Sequence, residues 1–186
     1  MIRLELAGPH THLHAALCSA CPMGPAGCCA TPPGVEWSDA GRIVSRGGAA
    51  FLLAELAAGH LRPGARGLLI QRVEAPAAPG PKRCVYHGPT GCTIPPERRA
   101  ATCNYYVCED ALTAAGAAHP EVERARRAQE TLVALYGGWD RDLAERVATG
   151  WPAGPPWDAA FLAWLGSAYE RLARRAPASL RALPSP

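Results

Sequence analysis

Lysine is almost missing from this chain. Among 186 residues it occurs once, at Lys82; arginine carries the rest of the positive charge, and the formal net charge is only +3. A balance that small, without a basic stripe, excludes the electrostatic footprint of a nucleic-acid binder. Aromatic residues make up 6%, so much of the 48% apolar content is alanine rather than bulky core side chains. No apolar run approaches the ~18–20 residues that a membrane-spanning helix needs. The opening Met1-Ile-Arg-Leu-Glu-Leu lacks the positive segment and apolar stretch of a secretory leader. The expectation is a cytoplasmic protein with neither a membrane nor a nucleic acid as partner. Signatures of nucleotide chemistry are missing too: Gly47-Gly48 continues into neither a P-loop nor a Gly-x-Gly-x-x-Gly fingerprint. No nucleophile–base pair stands out. Cysteine is missing after residue 108.

Before that point it is abundant. Eight cysteines fall as Cys18-x2-Cys21-x6-Cys28-Cys29, Cys84-x7-Cys92 and Cys103-x4-Cys108. A chain of this length buries a core without disulfides to help it. In a reducing compartment, bunched thiols are metal ligands or redox groups more often than disulfide halves. Several thiolates must converge on one point to hold a soft metal or an iron–sulfur cluster. Cys18-x2-Cys21 suits a chelating turn, and Cys84-x7-Cys92 encloses the turn residues Gly88, Pro89 and Gly91. Cys103-x4-Cys108 suits a helix start, where the dipole favours thiolate. The adjacent side chains of Cys28 and Cys29 tend to point apart, so they serve different ions, or one ligates while the other packs. Zinc and a [4Fe-4S] cluster fit this donor set equally; eight thiols make two zinc sites, or one cluster with thiols to spare.

Gly and Pro number 19 each, which implies many irregular segments. The pattern predicts a strand and polar lead-in over residues 1–17, then a Cys-, Gly- and Pro-rich loop over 18–34. A short helix capped by Ser38 or Asp39 runs through Val44. A second apolar face follows at Phe51, Leu52, Leu53 and Leu56. Leu68–Val73 and Arg83–Tyr86 read as strands, paired most simply as a hairpin through the connector Ala75–Pro81. Glu97–Ala100 reads as one helical turn, and a helix spans about Cys108–Ala115. His119–Tyr136 is an amphipathic helix that Gly137-Gly138 should end, and Asp140–Ala148 is a shorter one. Asp158 caps a last helix with the face Phe161, Leu165, Ala168 and Leu172, and residues 177–186 fray.

The run Cys-x2-Cys-x6-Cys-Cys, followed by Cys-x7-Cys-Thr-Ile, an arginine and Cys-Asn-Tyr-Tyr, resembles the YkgJ-type cysteine-cluster family, a zinc- or iron-chelating domain of CxxCxxCC pattern. The resemblance covers roughly residues 15–110. Family members carry a Cys-Thr/Ser-Ile-Tyr-Glu-x-Arg-Pro-x-x-Cys-Arg block. Here the block runs from Cys92 to Cys103, one residue longer, with Pro95 in the place of the Tyr and Arg99-Ala100 in the place of Arg-Pro. The resemblance implies a zinc or iron-type centre held by the cysteines, with Arg98 or Arg99 beside it. Some relatives carry the module within a flagellin lysine methylase, which by analogy brings in a cluster with S-adenosylmethionine chemistry.

Plainer readings accompany these. His10, His12 and His14 alternate as a polar strand edge does, although imidazoles on one side of a strand also make a supplementary metal site. His87 lies inside the Cys84–Cys92 loop, as a solvated turn residue or a ligand. Arg98 and Arg99 donate to thiolates or form an ordinary helix face, and Glu97 can pair with either. The Arg124, Arg126 and Arg127 face is interleaved with glutamates, as on any solvated helix. Together these features predict an α-rich α+β fold. Residues 1–118 would form a cysteine-cluster metal-binding domain with a hairpin, and residues 119–186 a helical extension packed on it. The function expected is metal chelation. The alternatives are a cluster-dependent modifying enzyme of methyl-transfer type and a thiol-based redox or interaction module.

Overall fold

The computed structural model describes residues 2–5, 7–15, 17–18, 27–74, 82–114 and 120–174. The strands are β1 (Ile2–Glu5), β2 (His12–Ala15), β3 (Val35–Glu36), β4 (Leu61–Gly64), β5 (Gly67–Ile70), β6 (Arg72–Val73), β7 (Arg83–Cys84), β8 (His87–Gly88) and β9 (Gly91–Cys92). The helices are α1 (Trp37–Ser45), α2 (Ala49–Ala57), α3 (Ala101–Tyr105), α4 (Glu109–Ala114), α5 (Pro120–Gly150) and α6 (Ala159–Ala173). Four small antiparallel sheets pair β1 with β2, β3 and β4 with β5, β6 with β7, and β8 with β9. The fold is α-rich α+β, as the pattern predicts.

α1 is the hub. Every residue from Trp37 to Ile43 is buried, because α1 packs against both α5 and α6. Two glycines permit the close approach to α6. A Cβ on Gly41 would lie 2.6 Å from Tyr169 Cβ, and one on Gly166 would lie 2.6 Å from Val44 Cγ1. The face Phe161, Leu165, Ala168 and Leu172 of α6 is buried, and Asp158 Oδ1 accepts the Phe161 N–H at 2.8 Å. One hydrophobic core takes residues from both sides of position 118, from Ile2, Leu13 and Ile43 to Leu132 and Leu162.

Several expectations need correction. Gly137-Gly138 does not end a helix; α5 runs unbroken for 31 residues. Each glycine costs a helix interior roughly 1 kcal/mol. Burial of Leu132, Tyr136, Trp139, Leu143 and Val147 along one stripe outweighs that cost. Asp140 is therefore a mid-helix residue rather than a helix start. The cap of α1 is Glu36, earlier than expected, and Asp39 Oδ2 accepts the Glu36 N–H at 3.2 Å from inside the first turn. The Leu68–Val73 strand changes partners at Gln71. Its N–H goes to His60 O at 2.9 Å and its carbonyl receives Val85 N–H at 3.0 Å. Only the β6 part pairs with β7, while β5 pairs with β3 and with β4, a strand not foreseen. The lead-in after β1 holds a second strand, β2. The connector Ala75–Pro81, His119 and residues 177–186 lie outside the described residues. No described helix is long and apolar enough to cross a membrane.

Candidate metal centre

Three separate segments carry thiols to one region. The first is a 3-10 turn, Gly27–Ala30, holding Cys28 and Cys29. It packs against β7, and Arg72 of β6 fastens it by donating to Ala30 O at 3.2 Å. The second is the ribbon from Cys84 to Cys92. Cys84 is buried, and its sulfur receives the Tyr86 N–H. Tyr86 is held by its hydroxyl, which donates to Glu55 of α2 at 2.7 Å. The chain then reverses through Pro89-Thr90, so that Gly88 faces Gly91 and His87 faces Cys92. Gly88 is needed there, since a Cβ would lie 2.7 Å from Thr93 Cγ2. The third segment is α3, which carries Cys103.

These thiols feel one another. Burial pushes the Cys103 thiol up to about 12 although the residue keeps contact with solvent, and the charges of Asp39, Cys92, Cys84 and Cys28 add to the shift. Cys84 is raised by burial, with Cys92 adding to it. In the vicinal pair, Cys28 loses its proton first, held down to about 6 because the Cys29 thiol donates to it. Cys29 is pushed far up by that same bond and by burial, with Cys28, Cys84 and Cys103 adding their charges. The rises at Cys84 and Cys103 come first from burial, and the smaller contributions of neighbouring sulfurs put the three segments within electrostatic reach of one another. Cys28, Cys29, Cys84, Cys92 and Cys103 are soft donors drawn from three segments, a donor chemistry that fits a zinc or iron centre. The geometry is looser than a closed site. Among the described residues, the trio of His, Cys, Asp or Glu donor atoms lying mutually within 4.8 Å is Glu5, His12 and His14, not a set of sulfurs.

The other expected ligands are placed as follows. Cys18 is exposed. Cys21 lies outside the described residues. Cys108 is half-buried at the edge of the core, where its carbonyl accepts the N–H groups of Ala111 and Leu112 at the start of α4. Cys103 and Cys108 do not share a helix, because Tyr106 is extended and Val107 is buried between them. Arg98 donates to Ile43 O at 3.3 Å and Arg46 O at 3.0 Å, closing the C-terminal end of α1. Arg99 Nε donates to Ile94 O at 2.8 Å. Both arginines thus hold backbone carbonyls. His87 Nδ1 is shielded from solvent with no hydrogen-bond partner among the described residues, directly across the ribbon from Cys92.

Sequence reasoning passed over the groups that aim α3. Asp39 and Arg42, buried on α1 and 3.7 Å apart, reach across to this segment. Asp39 Oδ1 accepts the Ala101 N–H at 2.6 Å, and Arg42 donates to the Arg99 carbonyl. Burial pushes the Asp39 carboxyl up to about 6 against the pull of Arg42 and two N–H donors. The visible signal is an acid and a base three residues apart inside a short helix that otherwise carries only small or apolar residues. No family model, no curated protein and no solved structure matches this chain.

Proposed function

We propose that this chain is a metal-binding cysteine-cluster protein that chelates zinc or holds an iron–sulfur centre. Cys28, Cys84, Cys92 and Cys103 are the core of its ligand set, and Cys18, Cys21, Cys29 and Cys108 are further candidates. The observation that carries the reading is the convergence of the 27–30 turn, the 84–92 ribbon and α3, with Cys28, Cys29, Cys84, Cys92 and Cys103 within electrostatic reach of one another. The resemblance to the YkgJ-type family over residues 15–110 points the same way, and reduced thiols suit a cytoplasmic setting. A cluster-dependent methyl-transfer enzyme remains within this reading as its catalytic form. A second reading, a thiol-based redox module, is favoured by one feature: Cys28 is exposed, and the bond from its neighbour Cys29 lowers its thiol below the usual range, the direction that favours reactivity.

Elemental analysis of anaerobically purified protein separates them. Metal chelation predicts zinc or iron in stoichiometric amount, with a brown colour if iron is present as a cluster. Neither metal, together with all eight thiols reacting freely in folded protein, would remove this reading in favour of the redox one.

A further inference from the structure

We infer that the outer face of the β1–β2 hairpin is a second metal site, built without sulfur, in which Glu5, His12 and His14 bind one divalent first-row ion of the zinc class. The register places Glu5 opposite His12 and Arg3 opposite His14. Strand alternation therefore puts these four side chains on one face. Ile2 and Leu13 of the other face are buried in the core. The three ligand atoms lie within 4.8 Å of one another. His14 Nε2 is shielded from solvent and 3.3 Å from Glu5 Oε2, a close approach rather than a well-directed hydrogen bond. The two imidazole rings are 3.9 Å apart.

The hairpin is held firmly enough to keep that face in register. Its connection is closed by Thr11, whose hydroxyl donates to Gly8 O at 2.7 Å and accepts the Ala7 N–H at 3.1 Å. Tyr136 of α5 donates to Pro9 O at 2.6 Å and pins the same turn. Two imidazoles and one carboxylate, with further positions open, suit zinc and its neighbours in the first row. Arg3 competes for the carboxylate, at 2.7 Å from Glu5. Arg3 faces Glu5 Oε1 while Oε2 faces His14, so the positive charge of the guanidinium opposes loading of the ion.

That competition makes the site testable apart from the cysteines. Zinc chloride is titrated into the full-length protein while imidazole nitrogen resonances and thiol reactivity are followed together. The expected result is that His12 and His14 nitrogens shift at the same zinc equivalent, independently of thiol protection. His14→Gln and Glu5→Gln should weaken this step at least about tenfold, the loss that even a supporting partner of a ligand commands. Arg3→Gln should strengthen it, an outcome that a merely structural role for the hairpin does not produce. Unmoved His12 and His14 resonances in the wild-type protein at zinc excess would overturn the site. So would a Glu5→Gln variant that binds as the wild type does.

Discussion

Asp39 Oδ1 accepts the Ala101 N–H at 2.6 Å, so a buried carboxylate of α1 stands at the start of the helix that carries Cys103. The contact spans 62 residues of sequence and couples the helical framework to the thiol region. It also sets two opposed demands. The carboxylate orients α3, while its charge adds to the elevation of the Cys103 thiol.

Asp39→Ala tests both. The N–H groups of Ala101 and Glu36 lose their acceptor and Arg42 loses its nearby anion. Stability should fall by roughly 2–4 kcal/mol in urea unfolding, the range for breaking a buried charged contact. In the metal-free folded fraction, alkylation of Cys103 should begin at lower pH than in the wild type. An unchanged alkylation profile would count against the electrostatic coupling.

Asp140 gives a pH test. Its carboxyl is raised from 3.8 to about 8, first by burial and then by Glu36, while Ser38 N–H donates to it at 2.7 Å. The folded chain holds this proton longer than the unfolded chain does. The stability it contributes is thus full below about 3.8 and lost as pH rises through about 8. Asp140→Asn keeps the acceptor and abolishes the titration. The variant should gain on the wild type as pH rises across that window, by on the order of 1 kcal/mol, and the gain should level off above it. Other titrating groups, such as His10 at about 4, cancel in the difference.

Metal removal should act regionally. The 27–34 segment and the 84–92 ribbon contain little regular structure apart from two-residue strands and a 3-10 turn. Chelation, or Cys84→Ser, should expose them to protease. The α1–α5–α6 packing should persist, because it is held by a continuous apolar core and by the buried Ser38 N–H to Asp140 hydrogen bond, neither of which involves a thiol. Hydrogen exchange resolved by segment checks this. Uniform loss of protection across α5 and α6 would contradict it.

Gly41→Ala should destabilise although alanine is the better helix former. The added methyl meets Tyr169 Cβ at 2.6 Å and Leu165 O at 3.1 Å. Overpacking of this kind costs roughly 1–3 kcal/mol, read as a lower midpoint in thermal melting.

What the sequence made legible follows from where the information is local. The cap and buried face of α6 were readable because Asp158 and the Phe161–Leu165 spacing act within one helix. α4 was readable for the same reason. The continuation of α5 through Gly137-Gly138 was not, since it depends on Tyr136 and Trp139 finding partners in distant elements. The switch of partners at Gln71 depends on His60 and Val85, which no local pattern names. At the candidate sites, cysteine spacing predicted a gathering of thiols. It did not anticipate that Arg98 and Arg99 would hold backbone carbonyls. Glu5 was invisible as a companion of His12 and His14 until the hairpin register set it opposite them.

The tryptophans of the helical framework have an optical consequence. Trp37 and Trp157 stack with ring centroids 5.5 Å apart and planes 11° from parallel, and Trp151 and Trp164 are 4.7 Å apart. Chromophores that close share their excited states, and the resulting paired bands in circular dichroism overlap the signal of the helices themselves. Ellipticity of this protein is therefore a joint reading of backbone and ring geometry. A substitution such as Trp157→Phe would alter the spectrum without unwinding a single helical turn.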